Sequence, residues 1–198
     1  GRNECFMYGI HYGPWFDYDL SGAYSIAMEM LKDPDYERLS IKTDLDEVDL
    51  NCYVAADIFF EFPSDVHYPC LPIRDPEGRG LVFPLKGRAW ASSPEIVLAR
   101  KMGARLKLAS GGYYHIPMLE GSLFGDAVKE MIQNREKAKK DYGAKSVPDL
   151  LWKEMINSVY GKLGQGLRDK KAFSTRKKVT QSTPFSPITQ PFLAAYVT

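Results

Sequence analysis

Residues 153–161 read Lys-Glu-Met-Ile-Asn-Ser-Val-Tyr-Gly, and the chain around them is predicted to be helical from about Asp149 to Tyr160. At about 3.6 residues per turn, Lys153, Asn157 and Tyr160 fall on one face. The apolar residues fall on the other face; they are Leu151, Trp152, Met155 and Val159. The polar face suits a nucleotide, with an ammonium for phosphate and a ring for base or sugar. A solvated helix face with a half-buried tyrosine fits the same pattern.

A second helix is predicted just before this one, over about Asp126 to Tyr142, with Gly143 closing it. The short connection between the two predicts a helical hairpin. Arg135 and Lys139 are four residues apart and form a second cationic stripe that could face the first. The alternative is a solvated helix face.

Upstream, Asp19 lies where an aromatic segment, Pro14 to Tyr18, is predicted to pass from strand into a helix over Tyr24 to Leu31. Magnesium prefers oxygen ligands, usually one or two carboxylates together with substrate phosphates. Asp19, with the Leu20 carbonyl, is therefore a candidate metal ligand. Because aspartates before helices are often caps, a purely structural role is the alternative.

Further elements are predicted from residue type and from turn residues. Strands are expected at Cys52 to Phe62, Gly80 to Leu85 and Arg105 to Leu108, and a helix is expected from Ser92 to Met102 with Gly103 as its C-cap. The tail Arg168 to Thr183 is basic and polar, and Pro187 to Thr198 reads as the start of a helix.

The composition is that of a globular chain of 198 residues, with 44% hydrophobic residues and a net charge of +1. The charge is sorted along the chain: residues 125–178 hold fourteen Lys and Arg against seven Asp and Glu, which favours an anionic partner for this half. Three cysteines and three histidines match no zinc spacing, and we expect a reducing, intracellular compartment. No apolar run approaches the ~20 residues of a membrane helix.

In this order, these segments resemble the family B DNA polymerases. Asp19 to Tyr24 resembles one form of the family's motif A, D-x-x-G-x-Y, and Lys153 to Gly161 matches motif B, K-x-x-x-N-S-x-Y-G, at every specified position. The segments at 1–3 and 186–191 are also similar to stretches that flank the palm. The resemblance spans nearly the whole chain, and it is closest to phage, plasmid and organellar members, including protein-primed ones.

The resemblance implies a template-directed DNA polymerase that adds deoxynucleotides to a primer 3′ end by two-metal phosphoryl transfer. Asp19 would be the catalytic carboxylate, binding Mg²⁺ or Mn²⁺ with the Leu20 carbonyl. The residues that would bind the incoming dNTP are Leu20, Tyr24, Arg135, Lys139, Lys153, Asn157 and Tyr160, with Lys140 as an alternative to Lys139. Tyr24 would pack under the sugar and disfavour ribonucleotides. The residues that would contact primer-template DNA are Gly161, Lys162, Lys170 and Lys171.

The expected fold is α+β: a truncated palm with an antiparallel sheet and packed helices, plus a helical-hairpin fingers subdomain. The palm would span residues 1–124 with an insertion, the fingers 125–162, and a basic loop returning to the palm 163–198. For this basic segment, phosphate contacts and a disordered surface loop are both open.

The chain departs from the family pattern in two ways. Ser25 stands where many members have proline, and motif C, which carries further metal ligands, is absent after Tyr160. We therefore expect this fragment to be inactive alone, and a catalytically inactive nucleic-acid-binding palm module is the alternative function. The expected location is the cytoplasm of a host cell, for a phage, virus or mobile element, with an organelle as the alternative. No membrane partner is expected, and a terminal protein primer is left open.

Overall fold

The computed structural model describes residues 9–16, 18, 22–75, 77–78, 80–165, 170–183 and 189–197. Within these residues the helices are α1 (Ala23–Glu29), α2 (Ser93–Lys101), α3 (Gly125–Tyr142), α4 (Val147–Leu163) and α5 (Pro191–Val197). The strands are β1 (Ser40–Lys42), β2 (Cys52–Glu61), β3 (Ile73–Arg74), β4 (Leu81–Val82), β5 (Lys86–Ala91), β6 (Arg105–Leu108), β7 (Tyr113–Pro117), β8 (Lys170–Ser174) and β9 (Val179–Thr183).

A five-stranded antiparallel sheet is built around the long strand β2, which confirms the strand predicted from Cys52. The first half of β2 pairs with β7, which in turn pairs with β1. Along Ile58 to Glu61, β2 pairs with both β5 and β6, so these two strands flank it on opposite edges. The antiparallel sheet and the packed helices together confirm the predicted α+β class.

One face of β2 is buried in a core with α2. Side chains alternate along a strand, and the even-numbered residues Ile58 and Phe60 are 0% and 2% exposed. Ile96 of α2 packs into the same core. The predicted start of α2 is confirmed by a capping box in which the Ser92 amide donates to Glu95 Oε2 at 2.8 Å.

A second core joins the sheet to α1, α4 and α5. Its buried members include Met28, Leu31, Tyr53, Leu163 and Leu193. The Tyr53 hydroxyl donates to the Lys32 carbonyl at 2.6 Å and accepts from the Lys32 amide at 3.1 Å. Burial raises the pKa of Tyr53, so the hydroxyl stays protonated and can donate. These two bonds position the segment after α1 against the sheet.

The predicted helical hairpin is present as α3 and α4, and its base is attached to the end of α1. The Leu123 amide donates to the Leu31 carbonyl at 2.8 Å, and the Ser122 hydroxyl donates to the Glu29 carbonyl at 2.8 Å. Lys129 of α3 forms an ion pair with Glu29 at 3.2 Å. The hairpin therefore leaves the sheet from the same place where α1 ends.

The far end of the hairpin is closed by Asp149, which is only 4% exposed. Its carboxylate accepts from Arg135 Nε of α3 at 2.9 Å and from the Lys145 amide at 2.9 Å. The amide of Lys145 and the guanidinium of Arg135 hold the pKa of Asp149 below its usual range. The carboxylate thus connects α3, the turn and the first turn of α4.

The predicted apolar face of α4 is wrong in part. Leu151 and Met155 are 58% and 40% exposed, whereas the buried residues Asp149, Ile156 and Leu163 recur every seven positions. The neighbours of α4 are α1, α3 and α5, and they cover that other stripe. The helix also continues past Gly161 and ends at Leu163; of the predicted residues, Lys153 and Asn157 are exposed and Tyr160 is half-buried.

Of the other local predictions, some were confirmed and some were wrong. The described residues 14–16 and 18 form no strand, whereas the predicted helices at α1 and α5 are present. The basic tail forms a two-stranded ribbon, β8 with β9, where the sequence left a disordered loop open. No helix among the described residues is long and apolar enough to cross a membrane. The subdivision into palm and fingers at the stated boundaries stays a prediction.

Asp149→Asn is expected to loosen the tip of the hairpin, because Arg135 would lose its charged partner. Amide hydrogen exchange at residues 143–150 should speed up several-fold, while Asp141→Asn, an exposed carboxylate on the same hairpin, should change nothing. Since the pKa of Asp149 is lowered, its stabilising effect is present above about pH 3.9 and is lost as the pH falls through the lowered value. Equal protection in wild type and Asp149→Asn at neutral pH would contradict this role.

Candidate nucleotide-binding site

Two tyrosines from distant parts of the chain meet face to face. The rings of Tyr24 on α1 and Tyr160 on α4 are stacked, with centroids 4.4 Å apart and planes 12° from parallel. Tyr24 is 43% exposed, so part of the stack faces solvent. An exposed aromatic stack is a flat apolar platform on which a sugar or base can lie.

The turn before α1 depends on a glycine. Gly22 is the N-cap of α1 and has a φ of 68°, a left-handed conformation that favours glycine. Gly22 thus occupies the N-cap position of α1. Asp19 and Leu20, the predicted metal ligands, lie outside the described residues. The described structure resumes at Gly22 and the helix α1, which has Tyr24 in its first turn.

Lys153 and Asn157 continue from Tyr160 along the exposed side of α4. At a rise of about 1.5 Å per residue, Asn157 lies about 4 Å and Lys153 about 10 Å from Tyr160 along the helix axis. Both side chains are exposed, and neither has a hydrogen bond or ion pair within the described part of the chain. An aromatic ring, an amide and an ammonium therefore follow one another over the length of a nucleotide.

The two cationic candidates on α3 have different surroundings. Arg135 is held by Asp149 through its Nε, and its side chain is 31% exposed. Lys139, one turn further along α3, is exposed. The alternative expected from the sequence, a solvated face near Glu136 and Asp141, does not describe Arg135, because its partner comes from α4.

The predicted DNA-contacting residues fall at the end of α4 and on the ribbon. Gly161 lies inside α4, and an added Cβ would meet nothing within 4 Å among the described residues. Lys162 is exposed and donates to Gln165 Oε1 at 3.0 Å. Lys170 and Lys171 begin β8; Lys171 is exposed, and the Lys170 side chain is not among those described.

The donors available for a divalent metal are the Asp19 carboxylate and the Leu20 carbonyl. Both are hard oxygen donors of the kind that Mg²⁺ prefers, so their chemistry fits the ion. Among the described residues no group of three or more His, Cys, Asp or Glu side chains could hold a metal ion.

Sequence reasoning did not identify Asp149 as the residue that orients Arg135. A buried aspartate in the first turn of a helix reads as an ordinary N-terminal acid. The only sequence signal was the spacing: Asp149 lies fourteen positions after Arg135, on the other side of a short turn. A helical hairpin brings two such positions together.

Comparison with known proteins places the chain in a family. Residues 1–184 match the profile of the family described as DNA polymerase type B, organellar and viral. The chain is 39% identical over 208 aligned residues to the primer-independent DNA polymerase PolB of Escherichia coli; the match covers all of this chain and 23% of that protein.

Solved structures of Phi29 DNA polymerase share the fold. The orthorhombic crystal form matches with a TM-score of 0.57 and 16% identity over 90% of this chain and 33% of that one. The complex with primer-template DNA and incoming nucleotide substrates matches with a TM-score of 0.55 and 15% identity over 90% and 32%. The chain thus spans about a third or less of each relative. The profile match over nearly its whole length shows that it belongs to the type B DNA polymerases of the organellar and viral group.

Proposed function

We propose that this chain forms the nucleotide-binding part of a template-directed DNA polymerase that adds deoxynucleotides to a primer 3′ end. The observation that carries the proposal is the stack of Tyr24 on Tyr160 at 4.4 Å. It brings the segments resembling motifs A and B to one exposed surface, although they are far apart in the chain. A surface built from both motifs is what selection and alignment of an incoming nucleotide require.

Each side chain along this surface has a role that its chemistry supports. Tyr24 packs under the deoxyribose, where an extra hydroxyl would clash, and Asn157 and Tyr160 line the nascent base pair. The Lys153 ammonium, about two helical turns from Tyr160, binds the triphosphate and neutralises the charge that develops during transfer. Lys139 or Lys140 adds positive charge from α3.

Arg135 is retained in the proposal as a triphosphate ligand with a second task. Its Nε is engaged by Asp149, and its terminal NH₂ groups have no partner among the described residues. One guanidinium can therefore hold the hairpin through Nε and reach phosphate through Nη atoms, because it carries five donors in a planar fork.

A divalent cation completes the chemistry. Asp19 and the Leu20 carbonyl would hold Mg²⁺ or Mn²⁺, which supplies Lewis-acid activation of the primer hydroxyl and stabilises the leaving pyrophosphate. By resemblance to the family, the remaining carboxylate ligands would come from a motif C.

Primer-template DNA is the proposed macromolecular partner, and Gly161 is the residue that supports it most specifically. Glycine inside a helix costs about 1 kcal/mol relative to alanine. No neighbour among the described residues would collide with a Cβ there, so the fold gives no reason for glycine. Close approach of a template strand does, with Lys162, Lys170 and Lys171 contacting phosphates.

A catalytically inactive nucleic-acid-binding palm module is the second candidate, because the exposed cations Lys162 and Lys171 would bind nucleic acid whether or not a metal site is complete. The proposed setting is a phage, virus or mobile element acting in host cytoplasm, or an organelle.

Asp19→Asn, in the protein that carries this chain, is expected to reduce primer extension at least about a thousandfold, because a metal ligand contributes several kcal/mol to the transition state. DNA binding should stay within a few-fold. Asp17→Asn, two residues away, is the matched control and should extend primers normally. Retained primer extension by Asp19→Asn would contradict the assignment of Asp19 as a metal ligand. A wild-type protein that binds DNA in the presence of Mg²⁺ and dNTPs but never extends the primer would favour the inactive module.

Lys153→Ala is expected to raise the dNTP concentration for half-maximal extension about ten- to a hundredfold, since a charge-assisted bond to phosphate is lost. Single-turnover extension at varied dNTP measures this directly. Lys101→Ala, an exposed lysine on α2, is the control. An unchanged nucleotide dependence in Lys153→Ala would refute its role at the triphosphate.

A further inference from the structure

Within the part of the chain that the structure describes, one face of the sheet is covered at one end only. The odd-numbered side chains of β2 share this face, and Tyr53 at its start is buried beneath α1 and α5. Further along, Phe59 is 48% exposed, and Trp90 on the neighbouring strand β5 is 62% exposed. Large rings left open on a sheet are unusual enough to mark a binding surface.

The strand register defines how these rings are arranged. Phe59 lies directly opposite Arg88 of β5 and Lys107 of β6, so these three form one row across the sheet. Trp90 lies opposite Asp57 and is therefore diagonal to Phe59 across the two strands. The Cα atoms of diagonal neighbours are about 7–8 Å apart. The rings are therefore neighbours on one flat surface.

Positive charge surrounds the rings and exceeds the negative charge. The cations on this face are Lys86, Arg88, Arg105 and Lys107, and the acids are Asp57 and Glu61. Arg88 and Arg105 pair with the acids at 2.5 Å and 3.0 Å. Lys86 and Lys107 have no ion pair within the described part of the chain and supply the surplus positive charge.

The Arg88 guanidinium lies over the Phe59 ring. Its Nε and Nη2 donate to the two Asp57 oxygens at 3.0 and 2.5 Å, and its Cζ lies 5.6 Å from the Phe59 ring centre. A shallow cavity of about 180 Å³ adjoins this pair and is lined by Phe59, Lys86 and Lys107, among others. An ordered guanidinium next to a ring and a cavity is ready to receive a planar group.

We propose that this open face of the sheet binds single-stranded nucleic acid, with unpaired bases stacked on the Trp90 ring and on the Arg88–Phe59 pair, and with the phosphate backbone held by Lys86 and Lys107. Sheets with exposed aromatic rings stack two or three bases in this way, and cations beside the rings follow the backbone. This site is separate from the Tyr24–Tyr160 surface and does not depend on polymerase activity.

The chemistry favours a single strand over the other polymers. Duplex DNA keeps its bases stacked inside, so the rings would have nothing to stack on. Protein interfaces enrich Trp and Arg but are depleted in Lys, whereas two lysines stand beside the rings here. An acidic peptide would use the lysines and leave the rings without a partner.

The test uses the protein that carries this chain, without dNTP or metal, and photo-crosslinks it to an oligonucleotide containing 5-iodouracil, either single-stranded or annealed to its complement. Mass spectrometry should locate single-strand crosslinks at Phe59 or Trp90. Absence of crosslinks on β2, β5 and β6, or equal crosslinking there by the duplex, would overturn the proposal. Because no extension is measured, failure here is distinct from failure of the proposed polymerase function.

Binding of labelled oligothymidylate, with an unlabelled hairpin primer-template in excess, gives the magnitude. Trp90→Leu should lower the association constant roughly ten- to a hundredfold, and Trp90→Phe should recover most of it. Lys86→Gln and Lys107→Gln should each reduce the salt slope by about 0.7. Leu98→Ala and Lys101→Gln on α2, which packs on the opposite face, should have no effect. Equal loss in the α2 controls, or none in Trp90→Leu, would contradict the site.

Discussion

The stack of Tyr24 on Tyr160 is the contact on which the account of this protein depends. It exists because three constraints meet: Gly22 starts α1 in a left-handed conformation, Tyr53 positions the segment after α1 against the sheet, and Ser122 and Lys129 attach the hairpin to Glu29 at the end of α1. Without these constraints the two helices would not bring their tyrosines into contact. With them, Tyr24 lies against Tyr160 at one end of the α4 face that carries Lys153 and Asn157. The result is a surface about as long as a nucleotide.

Much of the fold could be predicted from local sequence. The hairpin, the capped helix at Ser92 and the strand at Cys52 all carry strong local signals: a turn residue, a capping box and a β-branched, aromatic run. The strand β5 was missed because its lysine, glycine and arginine do not favour a strand until β2 offers an edge, whereas β7 was overlooked although its two tyrosines and its isoleucine favour a strand. The ribbon β8–β9, whose strands pair with each other, was missed because its mostly polar residues show no alternation of apolar and polar side chains.

The candidate site, too, was predicted only in part from the sequence. Helical periodicity alone placed Lys153, Asn157 and Tyr160 together, because their spacing needs no information from elsewhere. It misjudged Leu151 and Met155, because which side of a helix is buried depends on neighbours that helical spacing does not name. Long-range contacts such as Arg135 with Asp149, and the row formed by Arg88, Phe59 and Lys107, depend on turn length and strand register and could be seen only in three dimensions.

The most direct test of the central claim is a double-mutant cycle on the apparent dNTP dissociation constant, measured by single-turnover extension for wild type, Tyr24→Ala, Tyr160→Ala and the double variant. If the stacked rings act as one platform under the nucleotide, each single variant already loses it. The double variant then shows a coupling energy of about 0.5–1.5 kcal/mol, as expected for an aromatic pair. Strictly additive effects, or no effect of either substitution on dNTP binding, would contradict the claim that these two residues form one nucleotide-binding surface.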